Sequence, residues 1–130
     1  CTGSMLHLVK PLGFDMDDAK LRRAGLDYHD LAHVMVHESL DDALAQVPGR
    51  IWALTGHATT MYADISYADG DGLLFGRESV GLSEEAMNHS RIEDRVRIHM
   101  VDGVRSLNLA NSASIVLYEA WRQLGFPGGI

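Results

Sequence analysis

At 130 residues with a formal net charge of -7, the chain is an acidic polypeptide of single-domain size, and 46% of its residues are hydrophobic, enough for a core. A sequence pI near 5.3 argues against a broad nucleic-acid footprint, although basic residues cluster locally in "KLRR" and at Arg91, Arg95, Arg97 and Arg105. No apolar stretch approaches the roughly 18 residues that cross a bilayer, and no signal peptide is recognised. The lone cysteine, Cys1, allows no internal disulfide, which fits a cytoplasmic protein.

In chain order, Leu6 to Val9 reads as a buried strand stopped by Lys10-Pro11. Asp15 and Asp18 ahead of "AKLRRAG" open a helix of capping-box type that Gly25 closes. "HVMVHE" alternates as a short strand, and Ser39 caps "LDDALAQV", a helix ended by Pro48-Gly49. "IWALT", Ile51 to Thr55, is a continuous apolar run and hence a buried strand; "DGDG", Asp69 to Gly72, turns into the strand "LLFG". Ser83 caps a short helix in "EEAMNHS", "VRIHM" reads as the next strand, and a long helix from Arg105 runs to Gly125 and Pro127. Strands alternate with helices, and several are apolar throughout, so the pattern predicts an α/β fold with a mostly parallel sheet. Ligand sites in such sheets lie beyond the carboxyl ends of the strands, here after Leu54, Phe75 and Ile98.

Three constellations stand out. In "LLFGRESVGL", Gly76 would let a ligand approach the backbone, and Glu78 follows it as a carboxylate at a strand end; an ordinary strand-to-helix loop with a solvated glutamate is the plain alternative. The final helix is apolar all round at Ile115 to Tyr118, yet Ser106, Asn108, Asn111, Ser112 and Ser114 fall within nine positions near its start. Capping explains one or two of these; the rest, being poor helix formers, suggest a chain segment or a ligand packed closely on the helix. His29, His33 and His37, spaced by four, would share a helix face as zinc ligands do, but "HVMVH" fits a strand that breaks that face, so no metal is expected. Neither a dinucleotide fingerprint nor a Ser-His-Asp arrangement is present.

"FGRESVGL" followed by "VRIHMVDGVRSLNLANSASIVLYEAWRQLGFPG" resembles the second and third motifs of the SpoU class of SPOUT methyltransferases. Within that class, "PLGFDMDDAKLRRAGLDYHD" and the compact length are most similar to the bacterial methyltransferases that act on the ribose 2′-hydroxyl of the tRNA wobble nucleotide. The resemblance spans about Thr2 to Gly128. It implies an α/β fold with helices on both faces of the sheet and a C-terminal deep trefoil knot, an exception to the rule that chains do not thread. It also implies a single methyltransferase domain, S-adenosyl-L-methionine as methyl donor, a homodimer, and the tRNA anticodon stem-loop as partner. Carried over residue by residue, the cofactor contacts are Leu54, Thr55, Gly56, Gly76, Glu78, Ile98, Met100, Ser106 and Leu107. Asn108, Ser106 and Glu78 match the catalytic positions, Lys20, Arg22, Arg23 and Arg105 would meet RNA, and Tyr118 matches a tyrosine near the dimer contact. Small residues at Ser112, Ala113 and Ser114 would permit close threading.

Two departures accompany the resemblance. The family's N-terminal strand and first motif, of the form N-x-G-N-x-x-R and bearing its favoured catalytic arginine, have no counterpart here, which suggests roughly thirty residues missing ahead of Cys1. His99 stands where the family has a proline. If the first motif were truly absent from the molecule, a non-catalytic module binding cofactor or RNA would be the alternative to an enzyme; another tRNA or rRNA ribose would be the alternative target.

Overall fold

The computed structural model describes residues 4–9, 34–76, 81–101 and 108–130. These fall into two compact units, one within residues 3–46 and the other Val47–Ile130.

In the first unit, β1 (Leu6–Val9) and β2 (Val34–His37) pair in parallel, Leu6 with Val34 through to Val9 with His37. Helix α1 (Leu40–Ala45) follows, and the Ser39 side chain caps it by accepting from the Asp42 amide at 3.2 Å. Ala43 and Leu44 are buried, as is His37, whose Nε2 lies 2.9 Å from Nδ1 of His7. One ring must donate and the other accept, so the pair works with at least one neutral imidazole. The expected burial of Leu6–Val9 is not met: Leu6 is exposed, as are Met35 and Val36 on the partner strand. Among the described residues β1 pairs with a single neighbour, and two strands cannot enclose each other. The predicted helix after Asp15 lies outside the described residues.

The second unit is a parallel four-stranded sheet in the order β4-β6-β3-β5, with β3 at Ile51–Leu54, β4 at Thr60–Met61, β5 at Gly72–Leu74 and β6 at Ile92–Arg97. Ile51, Trp52 and Ala53 are buried, as the apolar run predicted for a central strand. A 3-10 turn at Tyr62–Asp64 follows β4, and Ser83 caps the short helix α2 (Glu84–Met87), its hydroxyl accepting from the Ala86 amide at 3.1 Å. Helix α3 (Leu109–Gln123) lies on the sheet through Val116, which closes a core with Trp52, Tyr67 and Val96. Leu54, Phe75, Ile98 and Ala120 pack around that cluster. Gln123 pins the helix to the segment after β4: its Oε1 accepts from the Tyr67 amide at 2.9 Å, and its Nε2 donates to the Ile65 carbonyl at 2.8 Å.

Three sequence expectations shift. The strand expected over "VRIHM" is Ile92–Arg97 instead, because pairing with Ile51–Leu54 on one side and Thr60–Met61 on the other sets its span; Glu93 and Asp94, which hid it, are exposed. The last helix begins at Leu109 rather than Arg105. Asn108 fixes the start, its Oδ1 accepting from the amides of Ala110 at 2.9 Å and Asn111 at 3.3 Å. Nor is that helix buried all round: Val116 is its one buried residue, while Ile115 and Tyr118 are exposed. Its end is as expected, with Gly125 in the left-handed region at φ 86°. The expected C-terminal trefoil knot is not shown by the described residues.

Candidate active site

The strand order decides the site. Because β6 and β5 both flank β3 and all three run the same way, their carboxyl ends lie side by side on one edge of the sheet. That edge gathers Leu54-Thr55-Gly56, Phe75-Gly76 and Ile98-His99-Met100, three segments far apart in the sequence. The Thr55 amide donates to the Val96 carbonyl at 2.9 Å, so the ladder extends one residue past β3. Beneath, the partly buried side chains of Leu54, Phe75 and Ile98 rest on the core. Each segment is thus anchored by an apolar residue while its backbone continues past the sheet, the arrangement that ligand sites of open parallel sheets use.

Gly76 is the tightest point. A Cβ there would run into the backbone of Gly81 and Leu82, so the chain returns across the end of β5 and only glycine permits the approach. Gly81 itself has φ 69°. On the outer strand Met61 pairs with Arg97, and the next residue, Tyr62, meets the ring of His99 edge-on at 5.9 Å. His99, in place of the family proline, is thereby seated as an exposed flank of the edge rather than as a break in it. Tyr67 is no proton acceptor: its hydroxyl donates to the Tyr62 carbonyl at 2.6 Å, and burial first, with the charges of Glu119 and Tyr62, pushes its pKa up to about 12.

Of the sequence-predicted cofactor contacts, Leu54, Thr55, Gly56, Gly76, Ile98 and Met100 are brought to this one edge. Asn108 stands at the N-cap of α3; its Oδ1 is committed to the helix amides, and its Nδ2 makes no hydrogen bond among the described residues. Ser114 hydrogen-bonds back to the Ala110 carbonyl at 2.9 Å, an internal use that spares it any external partner. Glu78, Ser106 and Leu107, and the expected RNA contacts Lys20, Arg22, Arg23 and Arg105, lie outside the described residues. Among the described residues no three His, Cys, Asp or Glu side chains group as metal ligands; His29 and His33 lie outside them. No described helix is long and apolar enough to cross a membrane.

A parallel sheet with three clustered strand ends is the frame in which open α/β proteins seat their ligands. The family model described as SpoU rRNA Methylase matches residues 1–118, and the chain belongs to that family. Among its relatives is a tRNA (cytidine(34)-2'-O)-methyltransferase of Methylovorus glucosotrophus (strain SIP3-4), 48% identical over an alignment that covers 99% of this chain and 84% of the relative. A solved structure concerned with the 2-OH methylation of C/U34 on tRNA superposes with a TM-score of 0.81 and 40% identity, covering 93% of this chain and 79% of that one. An AdoMet-bound rRNA methyltransferase from Sinorhizobium meliloti is 25% identical with a TM-score of 0.71, over 93% of this chain and 46% of that one.

Proposed function

We propose that the chain is a tRNA 2′-O-ribose methyltransferase acting on nucleotide 34, cytidine or a modified uridine, with S-adenosyl-L-methionine as donor. What supports this reading above all is the 48% identity to a cytidine(34) methyltransferase over nearly the whole chain, and the six expected cofactor contacts among the described residues lie along one sheet edge. When bound, S-adenosyl-L-methionine would supply a sulfonium methyl group for transfer to the ribose 2′-oxygen, the S–CH3 bond breaking as the O–CH3 bond forms, with S-adenosylhomocysteine as leaving group and the hydroxyl proton passing to a base. The described residues fit such a ligand at the strand ends: the partly buried Leu54 and Ile98 offer an apolar floor, and Gly76 lets the backbone of Gly81 and Leu82 close in beside them.

The chain's own task is alignment, because an in-line displacement gains most from holding its two reacting atoms in place. Leu54, Gly76 and Ile98 would hold the adenosine part by their backbones. A C-terminal trefoil knot, as the family resemblance implies, would bring Glu78, Ser106 and Leu107 to the cofactor. Asn108, with its Oδ1 occupied by the helix cap, orients the ribose through Nδ2, while Ser106 and Glu78 set the neighbouring atoms. A second copy of the chain would cover the exposed apolar face of α3 around Ile115 and Tyr118 and join two basic patches, offsetting the net charge. RNA affinity then comes from Lys20, Arg22, Arg23 and Arg105 on phosphates of the anticodon stem-loop and weakens with salt. A tRNA substrate puts the working compartment in the cytoplasm.

Ribose-methylation mapping of tRNA incubated with the protein and S-adenosyl-L-methionine tests the reading; a methyl group at nucleotide 34 is expected, and none there contradicts it. Asn108→Ser keeps a capping oxygen but removes the amide N–H. It should lower methylation by about tenfold or more, with S-adenosylhomocysteine affinity and the unfolding midpoint unchanged. Undiminished methylation removes Asn108 from the mechanism.

A further inference from the structure

Arg97 is a cation built into the sheet edge with no partner for its Nε among the described residues. It is the last residue of β6, and the pleat sets its side chain on the face opposite Val96, whose side chain is in the core under α3. The residue is half-buried, and this Nε is the one buried side-chain nitrogen or oxygen among the described residues that lacks a hydrogen bond. A guanidinium carries five N–H donors and no acceptor, and leaving a buried one unmatched is costly. The contrast with the other described arginines is plain, since Arg50, Arg91, Arg95 and Arg122 all have acceptors.

Its neighbours are the site. Met61 pairs with Arg97 in the ladder; carried on by one residue, the β3–β6 register sets Thr55 beside Arg97, and the β3–β5 register, carried on by two, sets Gly76 beside Thr55. Met61, Arg97 and Thr55 therefore form one row across the carboxyl edge, on one face, and the backbone of Gly81 and Leu82 covers its Gly76 end. One of the three, Thr55, is an expected cofactor contact. A ligand seated over that row meets a fixed positive charge with donors to spare.

We propose that Arg97 is a positioning residue that receives the carboxylate of the donor's amino-acid end, an assignment that rests on the proposed use of S-adenosyl-L-methionine. That donor carries a sulfonium and an ammonium, both positive, and one carboxylate, so charge matching at Arg97 selects the carboxylate. Planar guanidinium and planar carboxylate meet by two parallel hydrogen bonds, and that contact orients the methionine arm relative to the adenosine held by the strand-end backbones.

Calorimetry of S-adenosylhomocysteine and of 5′-methylthioadenosine, which lacks the amino-acid end, separates the possibilities in the full chain. Arg97→Met should weaken S-adenosylhomocysteine binding by about tenfold or more and leave 5′-methylthioadenosine binding as it was. Arg97→Lys should recover part of the loss, since it restores charge without the fork. Equal affinities of the parent protein and Arg97→Met for S-adenosylhomocysteine overturn the proposal, as does an equal loss for both ligands, which marks a general distortion. If the parent protein binds neither ligand, the cofactor reading itself fails, and with it the basis for the assignment. In the last arm, anticodon stem-loop binding by fluorescence anisotropy is measured. A loss confined to RNA, with a shallower salt dependence, moves Arg97 to a phosphate and refutes the carboxylate assignment.

Discussion

The two units use the same parallel pairing and differ in what covers it. In Val47–Ile130 the central strand β3 has a partner on each side and α3 above, and Ile51, Ala53, Val96 and Val116 are at most 1% exposed. Among the described residues of the smaller unit, two strands and one six-residue helix bury His37, Ala43 and Leu44, while Leu6 is 50% exposed. Strand pairing alone therefore does not make an interior; a third strand and a covering helix do. The strand-end site sits where the interior is complete. A row of positions can hold a ligand to within fractions of an ångström only if the residues beneath it cannot shift, and close packing supplies that.

The largest test of this contrast sets Ile51→Ala against Leu6→Ala. Ile51→Ala should cost about 2–5 kcal/mol by urea unfolding, through lost burial and a residual cavity. Leu6→Ala should cost less than about 1 kcal/mol, as for other exposed positions. Similar losses at both positions would mean that β1 is covered by more than its pairing with β2.

Next in size is an exposed apolar tract of the larger unit. Tyr118 is 45% exposed and stacks edge-on against Trp121, which in turn meets Phe126. If a second copy covers it, Tyr118→Arg should weaken dimerisation by about 2 kcal/mol or more, read as a monomer in sedimentation equilibrium. An unchanged assembly state would leave that face to solvent. Gly76→Ala probes the site itself. Its new methyl meets backbone rather than a yielding side chain, so about 1–3 kcal/mol of strain is expected, with weaker S-adenosylhomocysteine binding. Normal binding by Gly76→Ala would show that the 81–82 segment can move aside.

The smallest effect belongs to the smaller unit and depends on pH. Burial first, then the His37 ring, holds the His7 imidazole below its ordinary value of 6.5. The folded chain thus favours neutral His7. The stability this contributes is complete above the unfolded value and is lost as pH falls through the lower folded one. An NMR titration should give His7 a midpoint under 6.5, and His7→Gln should flatten the fall in stability on the acid side. A midpoint at or above 6.5 would mean the two rings separate in solution.

Much of the local structure was legible from residues alone. Ser39 and Ser83 announced helix starts because a side-chain oxygen satisfies amides that the helix leaves open, a matter of three or four neighbouring residues. Ile51 to Leu54 announced a central strand because burial on both faces needs apolar residues at every position. Ile92–Arg97 was legible only at its end, where "VRIHM" begins; the charged Glu93, Asp94 and Arg95 carry no apolar strand signal, and only partners on both sides make them strand. The start of α3 was blurred for the opposite reason. Several small polar residues in "RSLNLANS" could cap, and the structure selects Asn108.

For the site, the strand pattern and the motif resemblance named the strand ends after Leu54, Phe75 and Ile98, yet neither could show that they share an edge. Strand order is a long-range property, set by which pairings bury Trp52, Val96 and Val116 together. Periodicity, caps and the identities of the groups offered to a ligand were determined by sequence alone, because each depends on near neighbours along the chain. Which of those groups stand in one row, and which cation is left there with an unmatched donor, was decided by packing between segments tens of residues apart.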